Sequence, residues 1–116
     1  MEDKIYDERP WGTYEVIERT TDYWVKNITV KPGARLSLQY HGHRSEEWIV
    51  VRGNGYAVIN GEEIRVRAGS HLHIGVGDVH RIANDGEDTL VFIEVALGTK
   101  LSESDIVRVE DDYNRE

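Results

Sequence analysis

The feature that most constrains this chain is a side-chain alternation of period two that recurs along most of its length. TYEVIER at 13–19, YWVKNITVK at 23–31, EEWIVVR at 46–52 and TLVFIEVAL at 89–97 alternate, rich in β-branched and aromatic residues. Successive side chains of an extended chain point to opposite faces, so each stretch reads as a strand with one buried side. Shorter runs at 34–41, 55–60, 63–67, 71–74 and 79–83 read the same way. Turn residues separate them: Pro32-Gly33, Gly53-Asn54-Gly55, Asn60-Gly61, Ala68-Gly69, Gly75-Val76-Gly77 and Asn84-Asp85-Gly86. Asn60-Gly61 between two alternating runs is a hairpin signal. Helical periodicity is nearly absent. The expectation is all-β, many short antiparallel strands closing into a sandwich or jelly roll. The last stretch, SESDIVRVEDDYNRE, either adds a short strand or lies across the barrel.

At 116 residues the chain supports one domain, residues 1–116, with 1–8 expected as a loosely ordered N-terminal segment. Its 39% hydrophobic and 31% charged residues are a globular balance. No apolar run approaches the roughly 20 residues that cross a bilayer, so no membrane partner is expected. The acidic start, MEDKIYDERPW, lacks the apolar segment of a secretory leader, which points to the cytoplasm. With no cysteine, any metal must sit among imidazole, carboxylate and amide groups. A net charge of −8 argues against nucleic acid. The acidity gathers at the ends, while the middle carries Lys26, Lys31, Arg35, Arg44, Arg52, Arg65, Arg67 and Arg81. A cationic centre suits a small anionic ligand.

Two spaced clusters carry the chemistry. One is Gly69, five residues, Gly75-Val76-Gly77, two residues, His80, three residues, Asn84. The other admits two registers. Read from His41-x-His43, the gaps to Gly33 and Glu46 are too long and too short; read as Gly33, five residues, Gln39-x-His41, four residues, Glu46, six residues, Gly53, every interval fits. The intervals resemble the paired motifs of cupins, jelly-roll barrels (double-stranded β-helices) whose inward side chains hold a metal. The second register is preferred. The candidate ligands are Gln39, His41, Glu46 and His80, with His43 one step further out on the same face and Glu47 the rival carboxylate. Such an amide, imidazole and carboxylate set suits Zn²⁺, Mn²⁺, Fe²⁺, Co²⁺ or Ni²⁺. His71-x-His73 reads as pocket wall or surface rather than as ligands.

Longer stretches are more specific. RPWGTYEVI at 9–17, VKNITVKPGARLSLQYHGHRSEEWIVVRG at 25–53, GVGDVHRIAN at 75–84 and IEVALGTKLSESDIVRVEDDY at 93–113 resemble the cupin domain of type II mannose-6-phosphate isomerases. That domain also forms the C-terminal part of bifunctional guanylyltransferase/isomerases. The resemblance implies a metal-dependent interconversion of mannose 6-phosphate and fructose 6-phosphate, with proton transfer between C1 and C2. Guanylyl transfer is not expected, since the match excludes the nucleotidyltransferase part. Isomerases of the other type are similar in holding zinc with Gln-x-His, Glu and His, which makes zinc the first choice here.

His43 and Glu47 are then candidate bases, and Arg44 the first candidate for the phosphate. Lys26 is the second, because it shares strand parity with Ile28 and Val30, and Arg35 is a weaker third. Three positions depart from the family pattern: Glu47 stands for its usual His, Gly75 for Pro, and Asn27 for a basic residue. Glu47 would add a carboxylate beside the pocket. A non-catalytic sugar-phosphate or sugar-nucleotide binder, or another metal-cupin enzyme such as a dioxygenase or epimerase, are the alternatives. An open sheet edge invites a homodimer.

Overall fold

The structure, a computed structural model, describes residues 6–113, and every regular element in them is a strand. In chain order these are β1 (Tyr6–Arg9), β2 (Gly12–Arg19), β3 (Tyr23–Val30), β4 (Leu38–Tyr40), β5 (Ser45–Arg52), β6 (Asn54–Ile59), β7 (Glu62–Arg67), β8 (His71–Ile74), β9 (His80–Ala83), β10 (Leu90–Leu97) and β11 (Val107–Glu110). They form two antiparallel sheets, a six-stranded one ordered β1-β2-β3-β10-β5-β8 and a five-stranded one ordered β11-β4-β9-β6-β7. This is the cupin jelly roll that the alternation and the spaced clusters predict. No described helix is long and apolar enough to cross a membrane.

The alternation places the side chains as strand geometry requires. β3 buries Trp24, Lys26, Ile28 and Val30; β5 buries Glu46, Trp48 and Val50; β10 buries Leu90, Phe92, Glu94 and Ala96. Trp48 and Phe92 pack with ring centroids 4.7 Å apart, among Val50, Ile82 and Leu90. Burying side chains of this size stabilises the fold by about 1.5–3 kcal/mol each. The Asn60-Gly61 turn is the two-residue hairpin predicted: φ is 49° and 85°, and Ile59 faces Glu62 across it. Both turn positions require the left-handed region that Asn and Gly tolerate best.

Two local expectations change and a third is decided between its alternatives. Residues 6–8, expected to be loosely ordered, belong to β1 and pair with β2 from Tyr6↔Glu15 to Arg9↔Gly12; residues 1–5 lie outside the described residues. The strand expected over 34–41 contracts to β4, with Arg35 adding only an isolated bridge to Ala83 ahead of it. The terminal stretch does add a strand, β11, which pairs with β4 and closes one side of the barrel.

Candidate metal centre and active site

Beyond the apolar cluster, the inward faces of the two sheets enclose a polar cavity. The six-stranded sheet contributes Lys26, Glu46 and Glu94, and the five-stranded sheet contributes Gln39, His80 and Arg108. Within it His41, Glu46 and His80 each present a donor atom, and the atoms all lie within 4.8 Å of one another. All are buried, and Gln39, which faces His80 across β4 and β9, is buried with them.

The surroundings of each imidazole decide which nitrogen faces the cavity. His41 Nδ1 lies 2.7 Å from the Asp105 carbonyl oxygen, and His80 Nδ1 lies 2.8 Å from the Asp78 carbonyl oxygen. A carbonyl only accepts, so each Nδ1 carries the proton and donates it. A second hydrogen-bonded nitrogen of this kind is the arrangement that holds a metal-ligating imidazole in place. Burial first, then the charge of Arg44, lowers the His41 pKa to about 3. His41 is therefore neutral over the physiological range, the state a metal ion requires.

Glu46 is clamped at both oxygens. Trp48 Nε1 donates to Oε1 at 2.9 Å and Arg44 Nε donates to Oε2 at 2.7 Å, with His41 Nε2 3.3 Å from Oε2. Burial pushes this carboxyl upward, but Arg44 and His80, with the two hydrogen bonds, more than offset it and hold it below its ordinary value. Gln39 commits its amide nitrogen to Ser37, at 3.0 Å from the hydroxyl and 3.3 Å from the carbonyl, leaving the amide oxygen as the donor it can offer. Two imidazoles, a carboxylate and an amide oxygen on one cavity fit a single divalent ion.

The other expected site residues lie elsewhere or are committed differently. Glu47 points out of the barrel: one residue along from Glu46, it takes the opposite face of β5, where its oxygens meet His71 Nε2 at 2.7 Å and His73 Nδ1 at 2.5 Å. This corrects the expectation of a second carboxylate beside the pocket and removes Glu47 as a rival ligand. His43 is exposed and does not line the cavity, because β4 ends at Tyr40 and strand parity no longer governs residue 43. Arg35 forks onto Asp112 outside the cavity, at 2.6 and 3.1 Å. Arg44 does line the cavity, but besides Glu46 it donates to the Ser102 carbonyl at 3.1 Å and lies over the Trp24 ring at 4.9 Å. Those bonds occupy the fork that a phosphate would need. Lys26 lines the cavity, with Nζ paired to Glu103 and 4.1 Å from the centre of the Trp24 ring.

The family model described as Mannose-6-phosphate isomerase C-terminal matches residues 1–111. The chain belongs to that family. It is 46% identical over 107 residues to the alginate biosynthesis protein AlgA of Pseudomonas aeruginosa, covering 92% of this chain and 22% of that protein. It is 44% identical over 115 residues to the mannose-1-phosphate guanylyltransferase ManC of Salmonella typhimurium, covering 99% of this chain and 24% of the relative. The chain thus spans less than a quarter of the length of these relatives. A crystal structure with a double-stranded β-helix domain from Klebsiella pneumoniae superposes with a TM-score of 0.74 at 23% identity, over 84% of this chain and 83% of that one, which supports the fold.

In this mannose-6-phosphate isomerase C-terminal domain the cavity holds groups that the spacing of its motifs does not mark. Glu94 lies directly across from Lys26, and its Oε2 accepts a 2.8 Å hydrogen bond from Trp24 Nε1. Burial, then the charge of Glu46, raises its pKa above the ordinary carboxyl value. Its signal in the sequence is the one that marks Lys26: a charged residue at the inward parity of an otherwise apolar strand. Arg9, Glu103 and Arg108 also line the cavity, brought there from both ends of the chain. A strap running from Gly98 to Ile106 carries Glu103 and supplies the carbonyls that hold His41 and Arg44. Asp105 also accepts from the backbone nitrogens of Gly42 at 2.8 Å and His43 at 2.9 Å. The strap starts at Gly98 because a Cβ there would stand 2.4 Å from the His43 carbonyl oxygen.

Proposed function

We propose that this domain is a metal-dependent sugar-phosphate isomerase that interconverts mannose 6-phosphate and fructose 6-phosphate. One observation carries the reading: two buried imidazoles, each with Nδ1 held by a backbone carbonyl, turn Nε2 toward one buried carboxylate in a chain of this family. Gln39, His41, Glu46 and His80 would hold the ion, zinc before manganese, cobalt, nickel or iron. A bound divalent ion would supply Lewis-acid polarisation of the sugar carbonyl.

The chain's own residues do the rest. Glu94 is the proposed proton carrier between C1 and C2. Burial and the nearby Glu46 raise its pKa above the ordinary carboxyl value, the direction that suits a carboxyl to return as well as take a proton. Trp24 holds one of its oxygens and so aims the other. Lys26 is the proposed phosphate contact, in place of Arg44, with Arg9 and Arg108 as further cations on the cavity wall. Glu103 presents to Lys26 the negative charge that a phosphate would present, so substrate entry exchanges one anion for another. Arg44 is a positioning residue: it holds Glu46 and ties the strap to the cavity. A sugar phosphate as substrate favours action in the cytoplasm. Exposed Ile49, Val51 and Leu97 on β5 and β10 support pairing into a homodimer.

A second reading has one observation in its favour. Arg44 already neutralises Glu46, with Nη2 3.4 Å from His41 Nε2, so the cavity is electrostatically complete with no ion and could hold a sugar phosphate without turning it over. Mannose 6-phosphate added to zinc-loaded protein separates the two when the product is followed by NMR. Fructose 6-phosphate forming, and ceasing to form with chelator, is the expected result. Saturable binding without product would establish the second reading, and neither binding nor product would overturn both.

A further inference from the structure

The outer face of the six-stranded sheet carries a second convergence of metal-ligating groups that the proposed reaction does not use. β8 is the edge strand of that sheet, and its alternation buries Leu72 and Ile74 while turning His71 and His73 outward. Glu47 emerges on the same outward face from the neighbouring β5, directly across from His73, with His71 two pairs further along, across from Ile49. The carboxylate gathers both rings: Oε1 is 2.7 Å from His71 Nε2 and Oε2 is 2.5 Å from His73 Nδ1.

We propose that Glu47, His71 and His73 form a second metal site, open to solvent, for a divalent transition ion that favours imidazole and carboxylate ligands, such as Zn²⁺, Ni²⁺ or Co²⁺. The side chains already gather on one carboxylate, each ring nitrogen on its own oxygen of Glu47, and that carboxylate would bond the same ion. An ion bound at about 2.0–2.2 Å to nitrogen and oxygen replaces the protons these groups now share. Bringing the rings onto one ion needs them to swing toward each other. Both are free to do so: their side chains are 58% and 61% exposed, and neither packs in the core. Spacing by two on one strand keeps both rings on the same side throughout. Three protein ligands leave a coordination position for water or a donor from another molecule.

The site differs from the interior one in position and in exposure. Glu46 and Glu47 are neighbours in sequence on opposite faces of one strand, so an ion at each would be separated by the sheet itself. The test uses the untagged full chain and Ni²⁺ or Zn²⁺ alone, with calorimetry for stoichiometry and NMR of the imidazole rings for location. The paired variant His71→Ala/His73→Ala, on the protein surface, should remove one ion per chain and leave the fold intact. Glu47→Gln should weaken the same ion by about 10-fold or more, the scale on which metal sites respond to lost partners. Ring signals of His71 and His73 should shift as that ion binds. An unchanged number of bound ions in the paired variant overturns the proposal, whether the wild-type chain binds one ion or two.

Discussion

Glu46 and Glu47 are adjacent carboxylates on β5, and each sits between two histidines or their equivalents in charge. Glu46 is 2% exposed and locked by Trp48, Arg44 and the rings of His41 and His80, whereas Glu47 is on the solvent side with His71 and His73. Similar residue types thus form a rigid buried site and a loose exposed one, and the difference is strand parity. In the barrel, Glu46 is shielded from solvent and held by fixed indole and guanidinium donors, so every change is felt. On the sheet's outer face, solvent screens the charges and the side chains adjust.

The largest effect expected is from Glu46→Gln, which should abolish turnover of mannose 6-phosphate. Loss of a direct ligand should exceed the roughly 10- to 100-fold that loss of a supporting partner costs in metal affinity or activity. Glu47→Gln should leave turnover within about twofold, since exposed pairs contribute roughly 0–1 kcal/mol. Steady-state kinetics on the two variants side by side would break the comparison if Glu47→Gln proved the more damaging. Glu94→Gln should come next, lowering kcat by about 10²–10⁴-fold as loss of an acid–base group does. Its metal content should stay at the wild-type level, which elemental analysis checks and which separates proton transfer from metal binding.

Stability should divide along the same line. Arg44→Leu leaves Glu46 buried without its cation, so chemical denaturation of the metal-free protein should show a loss of about 3–5 kcal/mol. His73→Ala on the outer face should cost within about 1 kcal/mol. The pH dependence follows from the buried groups. His41 is lowered from 6.5 to about 3, so the unfolded chain takes up that proton first. The stability it contributes is present above 6.5 and is lost as pH falls toward about 3. Glu46, lowered from 4.5, adds a loss in the same direction below that value, while Glu94, raised above 4.5, acts in the opposite sense. Thermal denaturation of metal-free protein should therefore show a falling midpoint from about pH 6.5 downward. Replacing Glu47 with Gln should change that profile least of all.

The strands were legible because a two-residue period survives nearly everywhere, and the inward placement of Lys26 follows from the same parity as Ile28 and Val30. The grouping of His41, Glu46 and His80 was legible from intervals, since the spacing of each cluster reflects the strand and turn lengths that bring them together. Parity also contained two facts that adjacency obscured. Glu47 had to face away from Glu46, and Glu94 had to face inward with Leu90 and Phe92. Less could be read where the chain leaves regular strand. His43 follows the end of β4, so no period fixes its direction. Arg9, Glu103 and Arg108 reach the cavity through β1, the strap and β11, whose long-range placement depends on closure of the barrel. Arg44 was recognisable as a cation near the site, but its commitment to Glu46 depends on the strap that supplies its carbonyl partners.

The most direct test of the central claim, that the interior cluster carries metal-dependent chemistry, is a zinc titration of metal-stripped protein with mannose 6-phosphate turnover as the readout. The account predicts no turnover in stripped protein and recovery that saturates with one ion per chain at the interior site, equally in wild type and in His71→Ala/His73→Ala, and none in Glu46→Gln. Full turnover in the stripped protein, or recovery in Glu46→Gln, would contradict it.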